Sequence, residues 1–259
     1  MRIAIISDIH GNLEALQTVL ADIDSKGVDG IISLGDIIGY GPDPVACVDL
    51  VASRCKWSLM GNHDFAVIYE PTNFNKAAEE AAYWTREQFE NESKRDREGA
   101  TKRWEFLGKL RVRVSMGSFL CVHGSPRRPI NEYIFPEDAH GAPLKINAIF
   151  ERFENICLVG HTHVPGIFTS DNEFLKPVEF NSVYQFVRGQ KVIVNPGSVG
   201  QPRDRISLAS YSILEMKDEN TPECVHFHRI EYPIQPVVDK IHAIDALSNW
   251  LGDRLLEGC

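Results

Sequence analysis

The sequence predicts an α/β protein whose first half is a parallel sheet with crossover helices and whose second half is mixed and largely antiparallel. Three observations carry this. From Arg2 to Asp64, short apolar runs alternate with helix-like stretches in the order β-α-β-α-β, which a parallel sheet requires. Beyond Pro165 the apolar runs become short, alternating and separated by turn residues, as in antiparallel strands. Nothing resembling a linker, repeat or low-complexity segment interrupts the chain, so one domain is expected over residues 1–259.

Each element has its own reason. Residues 2–7 are an apolar run without an exposed face, and read as a buried strand. Asn12 can cap a helix bearing Leu13, Leu16, Val19, Leu20 and Ile23 on one face, with Gly27 as its stop. "DGIISLGD" (29–36) is a second strand, and Pro44 opens a helix with Val45, Val48 and Val51 at helical spacing. "KWSLMGNHD" (56–64) is a third strand running into a loop. Residues 75–110 are helical and strongly charged, with "ENESKRDREG" as a solvated helix end or loop. "RVRVSMGSFLCVHG" is a hairpin ending at His123, "KINAIFERF" an amphipathic helix, and "ICLVGHTH" another buried strand. Strands at 165–170, 192–195, 207–215 and 224–232 follow, and residues 234–256 close the chain as one or two helices.

The net charge of −9 argues against a general binder of nucleic acid or anionic membranes, which present a basic face. A small anionic substrate stays open, because bound cations can reverse the local field. No run is long enough to span a membrane, and the amino terminus reaches Ser7-Asp8 before a signal-like core could form, so a cytoplasmic protein is expected. The 6 cysteines lie far apart without a C-x-x-C pair and read as reduced, mostly core residues.

Five strings stand where an apolar strand gives way to a polar or glycine-rich loop: Asp8-Ile9-His10, Gly35-Asp36, Gly61-Asn62-His63-Asp64, His123-Gly124 and Gly160-His161-Thr162-His163. In parallel α/β sheets such strand ends face a common crevice. On an extended segment, residues i and i+2 point the same way, so Asp8 with His10, and His161 with His163, can each aim two side chains at one point. Singly, each residue has a plain explanation: Asp8 as a helix cap, Asp36 and Asn62 as turn residues, His123 as a core histidine. Together they do not, because five of the 9 histidines fall in these strings. Mixed imidazole, carboxylate and amide donors suit Mn, Fe, Zn or Co rather than Ca or Mg. Seven such donors are too many for one ion and enough for two if a carboxylate bridges. The pair His226/His228, and His140 and His242, read as structural.

In this order the motifs D-x-H, G-D, G-N-H-D, H-G and G-H-T-H resemble the calcineurin-like metallophosphoesterases. "NPGSVGQPRD" (195–204) and the closing "RLLEG" resemble the small bacterial and archaeal phosphodiesterase-like branch, so the similarity runs nearly the full length. The resemblance implies a four-layer α/β/β/α sandwich of two mixed sheets with a dinuclear centre. One divalent or trivalent ion would be held by Asp8, His10, Asp36 and His163. The other would be held by Asp36 as the bridge, Asn62, His123 and His161.

Two ions so placed acidify a bridging water for in-line attack on phosphorus and clamp the leaving oxygen. His63 would then serve the leaving group, with Asp64 orienting its ring. Arg127, Arg128, Arg203 and Tyr40 are candidate substrate contacts. "GDIIGYGPDP" lacks the arginine that protein phosphatases and dinucleoside-tetraphosphatases place after G-D, and "GNHD" lacks their following Glu and Arg. A phosphodiester or small phosphomonoester is therefore expected ahead of a phosphoprotein or dinucleoside polyphosphate. The remaining alternatives are a nuclease, a metal hydrolase acting on a bond such as an amide, and a metal-binding scaffold with little activity. Apolar residues in the antiparallel half allow a homo-oligomer without marking an interface.

Overall fold

The computed structural model describes residues 1–218 and 220–259. Its first sheet begins with three parallel strands joined by helices: β1 (Arg2–Ile6), α1 (Leu13–Ser25), β2 (Gly30–Ser33), α2 (Pro44–Arg54) and β3 (Cys55–Ser58). The Asn12 side chain accepts the Ala15 N–H and starts α1, while Pro44 occupies the first turn of α2, where its missing N–H costs nothing. The antiparallel strands β9 (Val183–Gln185), β11 (Ala209–Asp218) and β12 (Thr221–Ile230) complete this sheet in the order β3-β2-β1-β11-β12-β9.

The second sheet takes β4 (Arg113–Met116), β5 (Phe119–Val122), β6 (Ile156–Leu158), β7 (Gly166–Thr169), β8 (Phe174–Leu175) and β10 (Val192–Asn195), in the order β4-β5-β6-β10-β7-β8. Here β5, β6 and β10 run parallel, and the outer pairings are antiparallel.

Burial defines the layers. Ile3, Ile5, Ile32, Leu158, Val194, Leu214 and Val225 pack between the two sheets. The opposite face of the first sheet, with Ala4, Ile6, Tyr211 and Ile213, packs on α1, α2, α8 (Ile234–His242) and α9 (Trp250–Glu257). Leu120, Cys157, Phe168 and Ile193 on the outside of the second sheet pack on Ile146, Ile149 and Phe150 of α7 (Pro143–Phe150). The result is the expected α/β/β/α sandwich of two mixed sheets. Period-2 alternation in β1 sends Ile3 and Ile5 one way and Ala4 and Ile6 the other, so both faces are apolar.

Two helices, α4 (Lys76–Arg95) and α5 (Arg97–Gly108), fill 75–110, with Asp96 capping the second inside the charged run. One local expectation is corrected. The loop assigned after β3 is a short helix, α3 (Asn62–Ile68), whose N-cap is Gly61. Its start lacks a side-chain cap at Gly61; Asp64, one turn in, accepts the Gly61 N–H instead.

Candidate metal centre

The parallel strands of both sheets end at the same edge of the sandwich. Beyond β1, β2, β5 and β6 come Asp8 and His10, Asp36, His123, and His161 and His163, while Asn62 and His63 open α3. All eight side chains are buried.

They converge by a different geometry from the extended one expected. Asp8, His10, Asp36, His161 and His163 all sit at positive φ, between 49° and 68°. The left-handed region costs a residue with a Cβ about 1–2 kcal/mol. Five such residues in one site mark backbone bent to aim donors inward, held by bonds such as Asp8 N–H to Gly35 O and His10 N–H to Asp36 O. Glycines make room: a Cβ on Gly61 would lie 2.0 Å from Asp36 Oδ1, and one on Gly160 would lie 2.1 Å from Ser7 Oγ.

The donor atoms form two groups sharing Asp36. Asp8, His10, Asp36 and His163 make one, and Asp36, His123 and His161 the other. Asp36 Oδ2 is 3.7 Å from His10 Nε2 and 3.3 Å from His123 Nε2, and Asp8 Oδ1 is 3.3 Å from His163 Nε2. Asn62 Oδ1 lies 3.3 Å from His123 Nε2, beside the second group.

These contacts fit a metal ion. The ring nitrogen His123 Nδ1 faces the Leu34 carbonyl at 2.9 Å, and His163 Nδ1 faces the Gln201 carbonyl. A carbonyl only accepts, so both Nδ1 atoms carry hydrogen, and each ring when neutral turns its Nε2 lone pair toward carboxylate oxygens. Such pairs repel unless a cation lies between them. His10 Nδ1 and His161 Nε2 are buried without any hydrogen-bond partner. Imidazole, carboxylate and amide oxygen suit a first-row transition ion.

The electrostatics agree. Burial opposes ionisation of Asp8 and Asp36, yet facing histidines hold both carboxyls below their usual range, His163 chiefly for Asp8 and His123 for Asp36. Burial drives His10 and His161 well below the usual imidazole value, so both present lone pairs at neutral pH. At His123 burial works the same way, but Asp36 and Asp8 outweigh it and raise the ring to about 9, so without metal a proton takes the cation's place.

His63 lies beside these groups. Its ring packs 4.2 Å from Tyr40, 4.6 Å from Phe74 and 4.8 Å from His10, between centroids. Burial lowers it to about 4, and its Nδ1 has no partner. The expectation that Asp64 orients this ring is wrong. Both Asp64 oxygens are consumed by backbone N–H groups: Asp36 at 2.8 Å, Gly61 at 2.9 Å, Ile37 at 3.0 Å and Ile38 at 3.3 Å. Asp64 therefore fixes the loop that carries Asp36, and the aromatic neighbours hold His63.

Of the candidate substrate contacts, Tyr40 packs at a tilt against His10 and His63, and the Arg203 guanidinium lies 6.0 Å from its ring. Arg128 lines a cavity of about 610 Å³ with Asn62, Phe74, Tyr133 and His161. Arg127 is not brought to the site, because Glu132 engages its guanidinium at 2.6 Å. Tyr133 and Phe74 escaped the sequence reading. Tyr133 stacks 3.6 Å from the His161 ring, but it sits in an irregular loop where no period distinguishes it. The Gln201 carbonyl, which fixes the His163 tautomer, could have been suspected from its place in "NPGSVGQPRD".

A buried cluster of carboxylate, imidazole and amide donors at the strand ends of a two-sheet sandwich defines a candidate metal centre. The calcineurin-like phosphoesterase family model matches residues 1–165, and the chain belongs to that family. A metallophosphoesterase from Sphaerobacter thermophilus is 40% identical over the whole of both chains, with a TM-score of 0.81. An uncharacterized protein of Methanocaldococcus jannaschii is 35% identical over 263 residues, covering 99% of this chain and 98% of its own. A hypothetical protein of Pyrococcus horikoshii shares the fold at 19% identity, with a TM-score of 0.75 over 100% of this chain and 98% of that one. Among the described residues no helix is long and apolar enough to cross a membrane.

Proposed function

We propose that the protein hydrolyses a phosphodiester or a small phosphomonoester with two transition-metal ions, drawn from Mn, Fe, Zn and Co. One ion would be held by Asp8, His10, Asp36 and His163, and the other by Asp36, Asn62, His123 and His161. The observation that carries this reading is the position of Asp36 Oδ2 between His10 and His123, members of two donor groups that have Asp36 in common. Bound ions supply Lewis-acid polarisation of the phosphoryl group and lower the pKa of water.

The chain's own residues do the rest. Asp64 holds the Asp36 backbone, and Asp36 Oδ1 accepts the His63 N–H at 2.8 Å, so the shared carboxylate is tied to the start of α3. His63, neutral because it is buried, offers a ring N–H to the leaving oxygen, and an anionic phosphate beside it raises its proton affinity. Arg203 and Arg128 flank the site and supply positive charge for the non-reacting oxygens. Tyr133, stacked on His161, and Phe74 wall the cavity and give an ester substituent an apolar surface.

The chain is read as one domain acting in the cytoplasm on a small phosphate ester, with a homo-oligomer open and neither membrane nor general nucleic-acid binding required. The test is hydrolysis of an aryl phosphodiester and the matching monoester by protein stripped and reloaded with each metal, beside Asp36→Asn. Metal-dependent turnover lost in Asp36→Asn is expected. Absence of turnover with every metal and both esters would overturn the reading in favour of a scaffold.

A further inference from the structure

A second group of metal-ligating side chains lies away from this centre. Cys224 and His226 are two residues apart on β12, so both point to one face of the strand, and Glu215 of β11 is the cross-strand partner of Cys224. The face is the outer one. Val225 and Phe227, on the opposite side of β12, are buried between the sheets. Arg2, Glu215, Cys224 and His226 occupy the face that elsewhere packs on helices, here left half-exposed, with Cys224 itself buried. The unbroken register from Ala209↔Ile230 to Glu215↔Cys224 sets the facing of the pair, and the register shifts only beyond Glu215.

Distances within the group are those of a metal site. Cys224 Sγ is 3.3 Å from His226 Nε2 and 3.7 Å from Glu215 Oε2, and His226 Nε2 is 3.5 Å from Glu215 Oε1. Tetrahedral bonds of about 2.3 Å to sulfur and about 2.0–2.1 Å to nitrogen and oxygen put ligand atoms about 3.3–3.6 Å apart. Thus little movement is needed to admit an ion. Arg2 Nε holds Glu215 Oε1 at 3.0 Å, leaving Oε2 turned toward the thiol. A single S–H proton can serve only one of the two acceptors it faces.

We infer that Glu215, Cys224 and His226 form a separate binding site for a zinc-class divalent ion, with the fourth position open to water. Thiolate, imidazole and carboxylate are the donors that zinc and its surrogate cobalt take, and magnesium and calcium do not. Binding replaces the thiol proton, which is released to solvent as the sulfur–metal bond forms. Burial and the adjacent Glu215 push the free Cys224 thiol up to about 11, so at neutral pH thiolate appears there only when metal displaces the proton. An ion at this position clips β11 to β12 on the uncovered face of the sheet. The Arg2 guanidinium weakens it by charge and helps it by orienting the carboxylate.

Cobalt(II) titration of the metal-stripped chain tests this independently of any hydrolytic activity. The strand-end centre contains only nitrogen and oxygen donors, so a sulfur-to-cobalt charge-transfer band in the near ultraviolet reports the thiolate site alone. The band is expected to saturate at the intensity of one thiolate bond per chain within three cobalt equivalents, because the strand-end centre takes two. Cys224→Ser should abolish it, His226→Gln and Glu215→Gln should weaken binding at least about tenfold, and Cys259→Ser should leave it intact. A titration without the band would overturn the inference. So would a band that survives in Cys224→Ser or, should that variant not fold, one unchanged by His226→Gln.

Discussion

Replacing Asp64 by Asn changes one oxygen to an amide nitrogen in a position where four backbone N–H groups converge. In the native chain Oδ2 accepts from Asp36 and Gly61, and Oδ1 from Ile37 and Ile38. An amide keeps one acceptor and turns its NH2 toward two donors, so two bonds to a carboxylate are lost. Bonds to charged groups contribute about 1.5–3 kcal/mol each. The gross loss is therefore roughly 3–6 kcal/mol. Removing a buried charge offsets part of it: burial and the nearby Asp36 carboxylate already push Asp64 up to about 7. A net destabilisation of about 3 kcal/mol is expected at pH 8, where the native carboxylate is ionised. Urea unfolding of metal-free protein measures it, and equilibrium dialysis should show metal affinity falling at least about tenfold as Asp36 loses its support. A variant within about 0.5 kcal/mol of wild type, with native metal affinity, would refute the assignment of Asp64 as the anchor of the Asp36 loop.

Three further outcomes follow from the same contacts. If the ring serves the leaving oxygen as proposed, His63→Ala should retain both ions and slow esters of poor leaving groups more than those of good ones; equal loss across a leaving-group series would remove that role. Arg203→Gln should raise KM, whereas Arg127→Gln, whose native guanidinium is held by Glu132, should leave kcat and KM unchanged; steady-state kinetics on one ester separates the two. His228, stacked 4.8 Å from Tyr211, is lowered to about 4 by burial and then by Lys26. Its unfolded form takes up a proton near pH 6.5, so stability is full above that value and declines as pH falls toward 4. After allowance for the ring's partial exposure, the loss is about 1–2 kcal/mol. His228→Phe should show a shallower fall than wild type in metal-free unfolding between those pH values, and parallel curves would dismiss the effect.

The parts legible in the sequence were those written in spacing and residue type. The β-α-β-α-β order, the helices of 75–110 and the antiparallel close follow from apolar periods and caps, and the sandwich from the family resemblance that the motif order carries. The candidate ligands were read from strand-end motifs, and the structure brings their side chains together. What escaped depends on backbone handedness and register. Asp8, His10, His161 and His163 are bent into positive φ, a region Asp and His enter more readily than most residues but which their motif spacing does not demand, so an extended geometry was inferred for a left-handed one. Asp64 looked like a partner for its neighbour His63 because adjacency was all the sequence offered; four backbone donors, three from residues 36–38, claim it. The start of α3 was hidden because Gly61 has no capping side chain. His226 looked purely structural because its neighbour Glu215 is brought near only by the β11–β12 register.

The most direct test of the shared role of Asp36 is metal content measured together with turnover. It should be done in Cys224→Ser protein, so that a thiolate-bound ion is not counted. Stripped and reloaded chains should carry two ions and cleave an aryl phosphodiester, whereas Asp36→Asn in the same background should carry fewer and lose turnover. A chain that binds a single ion yet turns over fully, or an Asp36→Asn variant that keeps both ions and its activity, would contradict a carboxylate shared between two metals.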